Sequence, residues 1–291
     1  MKVSTLGPAG TFTESAARLW LKAKEVEVEL SYCDTISDVS ESLLRKEADY
    51  GIVPIENSLE GSVGETLDVL SNENSGVMQI VGEVLVPINI CLLASKKKVL
   101  PKDGSQAFAK VKKVVSHSHA LAQCKQFIRG RLKVMIKDLE IKSVDSTASA
   151  AKLAKEDEEI VALASEAAAR KYGLNILAEN VQDKDSVTRF IVLSSSSIKT
   201  ESTGNDKTSI LIYLKDRPGA LYDVLGEFAQ RGINLTKIES RPSKRAMGDY
   251  MFYIDCEGHI EEAGIKEVLN GVKQHVAVLK ILGSYPIVDK V

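Results

Sequence analysis

Ser186-Val187-Thr188-Arg189-Phe190-Ile191-Val192-Leu193, followed by Ser194-Ser195-Ser196-Ser197, is the stretch from which the architecture unfolds. One hydroxyl and one guanidinium stand at the entrance of an apolar run of β type, which reads as a buried strand. Residues 194–207 behind it are polar, rich in Ser, Thr and Gly, and without periodicity, so they read as a linker. The chain then divides into a large unit at 1–194, a linker at 195–207 and a small unit at 208–286. The last strand of the large unit opens with the best candidates for chemistry, Thr188 and Arg189.

Upstream, short apolar strands alternate with amphipathic helices. Strands are expected at 2–6, 26–32 and 50–55, with helices after each. Thr11-Phe12-Thr13-Glu14 reads as a capping box, Thr35-x-x-Asp38 opens the second helix and Ser62-x-x-Glu65 caps the third. An extended tract at 77–94, broken at Pro87, suits two strands with a crossover between lobes. The alternation then resumes, with strands at 111–115, 141–144, 160–164, 176–179 and 188–193. This pattern predicts two α/β lobes with mainly parallel sheets, the chain returning to the first lobe at its end. Such lobes bind small ligands in the cleft between them. Downstream of the linker, the order β-α-β-β-α-β over about 80 residues is the ferredoxin-like split.

The totals exclude several function classes. The 291 residues are 44% apolar and 27% charged with a net charge of −2, as in a folded globular chain. No basic stripe is present, so neither nucleic acid nor an anionic membrane is an expected partner. The lysine run Lys96-Lys97-Lys98 reads as a solvated loop. Cys33, Cys91, Cys124 and Cys256 are scattered without a C-x-x-C, which fits reduced thiols in the cytoplasm. Gly7, Pro8 and Gly10 interrupt any leader-like apolar segment. The longest apolar tract, 80–94, is too short and too broken to span a bilayer.

Residues at strand ends and helix starts of the large unit are rich in hydroxyls and amides and poor in bases. They are Thr11, Glu56, Asn57, Ser58, Ser116, Ser146, Thr147, Thr188 and Arg189. No Ser or Cys stands in nucleophile context with a His. His117-x-His119 is a weak metal signal and reads better as a surface pair at a helix start. Gly7-x-x-Gly10-Thr11 lacks the Gly-Lys-Ser/Thr ending of a phosphate loop. What remains is a cleft with several helix N-termini and one guanidinium, a combination that favours carboxylates.

Three segments carry a resemblance. Gly7-Pro8-Ala9-Gly10-Thr11-Phe12-Thr13-Glu14, Gly51-Ile52-Val53-Pro54-Ile55-Glu56-Asn57-Ser58-Leu59-Glu60-Gly61 and Thr188-Arg189-Phe190 resemble the signature segments of prephenate dehydratases. Ser116-His117, Ala120-Leu121, Gln123-Cys124 and Ser146-Thr147-Ala148 are similar to two further segments. In the small unit, Pro218-Gly219-Ala220-Leu221, Gly232-Ile233-Asn234-Leu235 and Glu239-Ser240-Arg241-Pro242 resemble the ACT regulatory domain. Ser118-His119 stands where the family commonly has Pro-Gln, Ser186 where it has Asn, and Thr13 where Ser is frequent.

The resemblance implies a catalytic domain of the type II periplasmic-binding-protein fold followed by an ACT domain. It implies conversion of prephenate to phenylpyruvate with loss of CO2 and water, without a cofactor or metal, because the aromatic product makes the reaction strongly downhill. Thr188 is the implied proton donor to the leaving hydroxyl. Asn57, Ser58, Ser116, Gln123 and Thr147 are expected to orient the substrate, and Arg189 with the Thr11 helix start to offset its carboxylates. Glu56 needs a cationic partner such as Arg189, and Phe190 either stacks on the ring or belongs to the core. Gly219, Ala220, Leu221, Asn234, Glu239 and Ser240 are implied to contact L-phenylalanine at an interface of a homodimer or a dimer of dimers. An arogenate dehydratase and a non-catalytic amino-acid-responsive binding protein remain the alternatives.

Overall fold

A computed structural model describes residues 1–72, 78–96, 108, 110–195, 200–214, 217–243 and 250–288. Lys97 and Lys98 of the lysine run and 196–199 of the linker lie outside the described residues. The first lobe comprises β1 (Val3–Leu6), α1 (Phe12–Ala23), β2 (Leu30–Cys33), α2 (Ile36–Leu44), β3 (Tyr50–Asn57), β4 (Gly61–Ser62), α3 (Gly64–Ser71) and β5 (Met78–Pro87). The second begins with β6 (Cys91–Ser95) and β7 (Lys113–Ser116). An irregular helical stretch follows: α4 (Ser118–Gln123), α5 (Lys125–Phe127), a π-helical turn at Ile128–Leu132 and α6 (Lys133–Met135). This stretch contains a π turn around Gly130, a poor helix former. The lobe is completed by β8 (Glu140–Ser143), α7 (Thr147–Glu156), β9 (Ile160–Ala164), α8 (Glu166–Tyr172) and β10 (Leu174–Ala178).

β11 (Val187–Ser195) then returns to the first lobe, as the alternation predicted. It inserts between β3 and β5, antiparallel to both, in the order β2-β1-β3-β11-β5. The second sheet runs β10-β6-β9-β7-β8. In each lobe three parallel strands carry the β-α alternation, and strands arriving through the crossovers pair antiparallel. The sheets are therefore mixed, where mainly parallel sheets were expected. The edge strand expected over 26–32 pairs only from Leu30.

Both faces of β11 are buried. Phe190 and Val192 pack with Trp20, Ala16 and Ala17 of α1, while Ile191 and Leu193 point to the opposite side. Successive strand residues face opposite ways, so the continuous apolar run is what a sheet covered on both faces requires. The cover on the second side includes the small domain. That domain comprises β12 (Asp206–Leu214), α9 (Ala220–Gln230), β13 (Leu235–Pro242), β14 (Tyr250–Glu257), α10 (Ala263–His275) and β15 (Val276–Pro286), a β-α-β-β-α-β unit with sheet order β13-β14-β12-β15.

One face of the small sheet holds Val224 and Phe228 of α9 and Val268 and Val272 of α10. The other presents Leu211, Met251, Tyr253, Leu282 and Tyr285, which share one core with Ile55, Leu67, Ile80, Ile191 and Leu193 of the first lobe. Each such side chain contributes roughly 1.5–3 kcal/mol on burial. At Gly283 the approach is backbone to backbone: a Cβ there would lie 2.0 Å from the Ile80 carbonyl oxygen. The two domains are docked, not merely tethered.

Candidate active site

The cleft between the lobes encloses about 440 Å³. Helices α1, α2, α3, α4 and α7 bring residues at their N-terminal ends to it, among them Phe12, Thr35, Val63, His117 and Thr147. Thr35 opens α2 as expected, forming a capping box with Asp38, and Ser146 caps α7 through the Ser149 N–H. The expected Ser62 cap is absent: α3 starts one residue later, with Val63 as an N-cap that makes no side-chain hydrogen bond. Phe12, Ile88, Ile90 and Ala120 supply an apolar wall.

At the end of the cleft where β3 and β11 pair, Thr188 stands opposite Asn57 in register. The Asn57 Nδ2 donates to Thr188 Oγ1 at 2.9 Å. The orientation of that amide is set by its other end, since Oδ1 accepts the N–H groups of Leu59 (2.9 Å) and Glu60 (3.1 Å). Thr188 therefore receives a hydrogen bond at its oxygen and keeps its own hydrogen for a ligand. Across the cleft, Gln123 Nε2 donates to Glu60 at 3.4 Å. Thr188, Asn57, Gln123 and Thr147 thus meet in one cavity, joined by Glu60. Glu60 escaped the sequence reading; its signal was the tight return from β3 to β4, which places it on the same turn as Asn57.

Other expected site residues are engaged elsewhere. Thr11 caps α1, accepting from the Glu14 N–H and donating to the Leu6 carbonyl. The Glu14 carboxylate reaches Gly10 N–H at 2.5 Å, one residue before the Thr11 N–H that a capping box would use. Burial pushes the Glu14 carboxyl up, but the Gly10 N–H, Arg18 and Tyr32 outweigh it and hold it below its ordinary value. The Gly7–Gly10 turn is an interlobe contact: Ser165 Oγ donates to the Gly10 carbonyl and the Tyr172 hydroxyl to that of Ala9. Ser58 Oγ accepts from the Val187 N–H, and the fully buried Ser116 donates to the Leu163 carbonyl. Phe190, 2% exposed, is a core residue.

Arg189 requires the largest correction. The strand alternation that aims Thr188 into the cleft aims Arg189 at the small domain. Its guanidinium donates to Glu83 (2.7 Å), Asp255 (2.6 Å), the Tyr285 hydroxyl (2.7 Å) and Glu56 (3.4 Å). Lys207 pairs with Glu83 at 2.9 Å, and Lys237 pairs with Glu56. Burial disfavours the charged guanidinium, but Tyr285, Asp255 and Glu83 outweigh it and keep it firmly protonated. Glu56 has the partner its charge demanded, at the domain interface.

Among its described residues the cleft lining contains Asp34, Glu60, Glu65 and Asp145 but no Lys or Arg. His117 and His119 meet edge to face at 4.9 Å at the start of α4, the helix-start pair expected; His119 is exposed, and both border the cleft. Burial, with His119 beside it, holds His117 below its ordinary pKa. Attraction for an anion therefore falls to the helix N-termini. No group of three or more His, Cys, Asp or Glu with metal-binding geometry occurs among the described residues. All four cysteines are free, and burial pushes Cys124 and Cys256 up to about 12.

In the small domain, Gly219 has a left-handed backbone (φ +80°) at the start of α9, followed by the buried Ala220. Leu221 is half-buried one residue on. Asn234 lies beyond the other end of that helix and bonds Glu257 at 2.9 Å. Eleven helical residues separate the two positions, roughly 16 Å at 1.5 Å per residue. Glu239 and the exposed Ser240 are neighbours on β13 and face opposite ways.

A family model described as prephenate dehydratase matches residues 3–198, and one described as ACT domain matches residues 208–274. The chain belongs to the prephenate dehydratase family. The prephenate dehydratase of Methanocaldococcus jannaschii is 39% identical over 97% of both chains. The bifunctional chorismate mutase/prephenate dehydratase of Aquifex aeolicus is 45% identical over 98% of this chain and 74% of its own. The crystal structure of prephenate dehydratase from Arthrobacter aurescens in complex with L-Phe matches with a TM-score of 0.84 at 35% identity, covering 99% of this chain and 90% of that one.

Proposed function

We infer that this chain converts prephenate to phenylpyruvate, with Thr188 as the proton donor. The observation that carries the reading is the Asn57–Thr188 pair at the cleft, with the threonine hydrogen left for a ligand. In the reaction the ring carboxylate leaves as CO2, the C4 hydroxyl takes up a proton and leaves as water, and the electron pair of the broken C–C bond completes the aromatic ring. A threonine hydroxyl is a weak acid in water. At a position only 9% exposed, with Asn57 donating to its oxygen, it can stabilise the charge that develops on the leaving oxygen. Thr147 and Gln123 orient the substrate, and the helix N-termini receive its carboxylates. Glu60, facing Gln123, sets the polar boundary of the cleft.

L-phenylalanine is the proposed regulator, bound by the ACT domain. Gly219–Leu221 and Asn234 sit at opposite ends of α9, so a pocket using both sets draws on two copies of the chain. A homodimer, alone or paired into a tetramer, supplies that arrangement. The four free thiols suit a reducing cytoplasm.

Purified protein assayed with prephenate and with arogenate, with and without L-phenylalanine, tests the reading. Phenylpyruvate is the expected product. Thr188→Ala should lower kcat by roughly 10²–10⁴, with little change in melting temperature, since only one hydrogen bond worth about 1 kcal/mol is lost. Near-wild-type turnover in that variant would remove Thr188 from the mechanism.

A further inference from the structure

Lys237 lies on β13 of the small domain, yet its ammonium is built into the large one. Its side chain is 9% exposed, and Nζ donates to the Glu56 carboxylate and, at 2.8 Å, to Ser62 Oγ. Glu56 and Ser62 are register partners on β3 and β4, and the next pair is Asn57 with Gly61. Lys237 therefore grips both strands of this hairpin at its base. The hairpin tip is the turn that closes over Asn57 Oδ1 and carries Asn57 and Glu60 into the cleft.

β4 has only two residues, too short a ladder to be rigid by itself. On β3 the alternation of side chains turns Glu56 towards the small domain and Asn57 towards Thr188. A displacement of Glu56 is thus passed to Asn57 across a single residue.

We propose that Lys237 is a positioning residue for the dehydratase cleft: the ACT domain, through Lys237, clamps the β3–β4 hairpin and so holds Asn57 against Thr188. The proposal rests on the dehydratase reading for its catalytic consequence, and on the geometry alone for its structural one. It also gives the regulatory domain a direct handle on the catalytic pair. Any movement of β13 that withdraws the ammonium loosens Asn57.

The test compares full-length wild type with Lys237→Met, Lys237→Arg and Lys280→Met. Lys280 is the control, a second interdomain lysine that donates to the Leu70 and Asn72 carbonyls, away from the hairpin. Lys237→Met is expected to lower kcat by about ten- to a hundredfold, the cost of a small misplacement, with KM changed less. It should also speed hydrogen exchange at the Leu59 and Glu60 amides. Lys237→Arg restores both, and Lys280→Met changes neither. Unchanged exchange at Leu59 and Glu60 in Lys237→Met overturns the clamp, whatever the activity. A wild-type kcat in that variant, or equal losses in Lys280→Met, overturns positioning in favour of simple docking. Wild-type protein that forms no phenylpyruvate while the exchange contrast persists would instead sink the dehydratase reading and leave the clamp standing.

Discussion

Arg189→Met separates a structural guanidinium from a substrate-binding one. Three cations (Arg189, Lys207, Lys237) and three carboxylates (Glu56, Glu83, Asp255) are joined at the domain interface, so the cluster is charge-balanced. The side chains of Arg189, Glu83 and Asp255 are only 7, 2 and 5% exposed. The substitution leaves Glu83 with Lys207, Glu56 with Lys237, and Asp255 with the Ser209 hydroxyl at 2.5 Å but no cation among these contacts. Removing one member of a buried pair costs about 3–5 kcal/mol, because the remaining charge stays desolvated. That is a large share of a total stability of about 5–15 kcal/mol. Thermal unfolding should show a fall in Tm on the order of 10 °C. KM, measured at a temperature where the variant is folded, should change little. The double variant Arg189→Met/Asp255→Asn removes the stranded carboxylate and should recover part of the loss, a coupling that additive sites lack. A wild-type Tm with a raised KM would refute this reasoning and return Arg189 to the cleft.

Two further outcomes follow from the packing. Gly283→Ala places a methyl 2.0 Å from the Ile80 carbonyl oxygen, so β15 must separate from β5; a loss of at least 1–3 kcal/mol and easier proteolysis between the domains are expected, and unchanged melting would show that the strands can part freely. Glu14 is held below its ordinary value of 4.5, so its contribution is present above that pH and is lost as pH falls through the lower folded value. Melting curves from pH 3 to 7 should fall less steeply on the acid side in Glu14→Gln than in wild type, and parallel curves would exclude that carboxylate.

The order of elements was legible because it depends on local pattern. Alternating short apolar strands and capped helices announced α/β lobes, and the split β-α-β-β-α-β order announced the ferredoxin-like domain. Thr35 with Asp38 declared a helix start from four residues. Ser62 did not, because its hydroxyl is claimed by Lys237 from 175 residues away, a partner that no local window contains. That Glu56 needs a cation was deducible from charge alone; that Lys237 as well as Arg189 supplies it, at the domain interface, was not.

The boundary runs between Thr188 and Arg189. Local chemistry marked both, and a strand period of two already required them to face opposite ways. Which of them met the cleft depended on what covered each face of β11. Helix α1 packs beside Phe190 on the Thr188 side, and the ACT sheet covers Ile191 and Leu193 on the other. The guanidinium found three carboxylates and the Tyr285 hydroxyl under that sheet, where burying it unpaired would have been prohibitive. The threonine was left opposite Asn57, at the cleft. Residue types and their spacing are written in the chain, whereas the assignment of faces is a property of the docked domains, because only they decide where each side chain is desolvated.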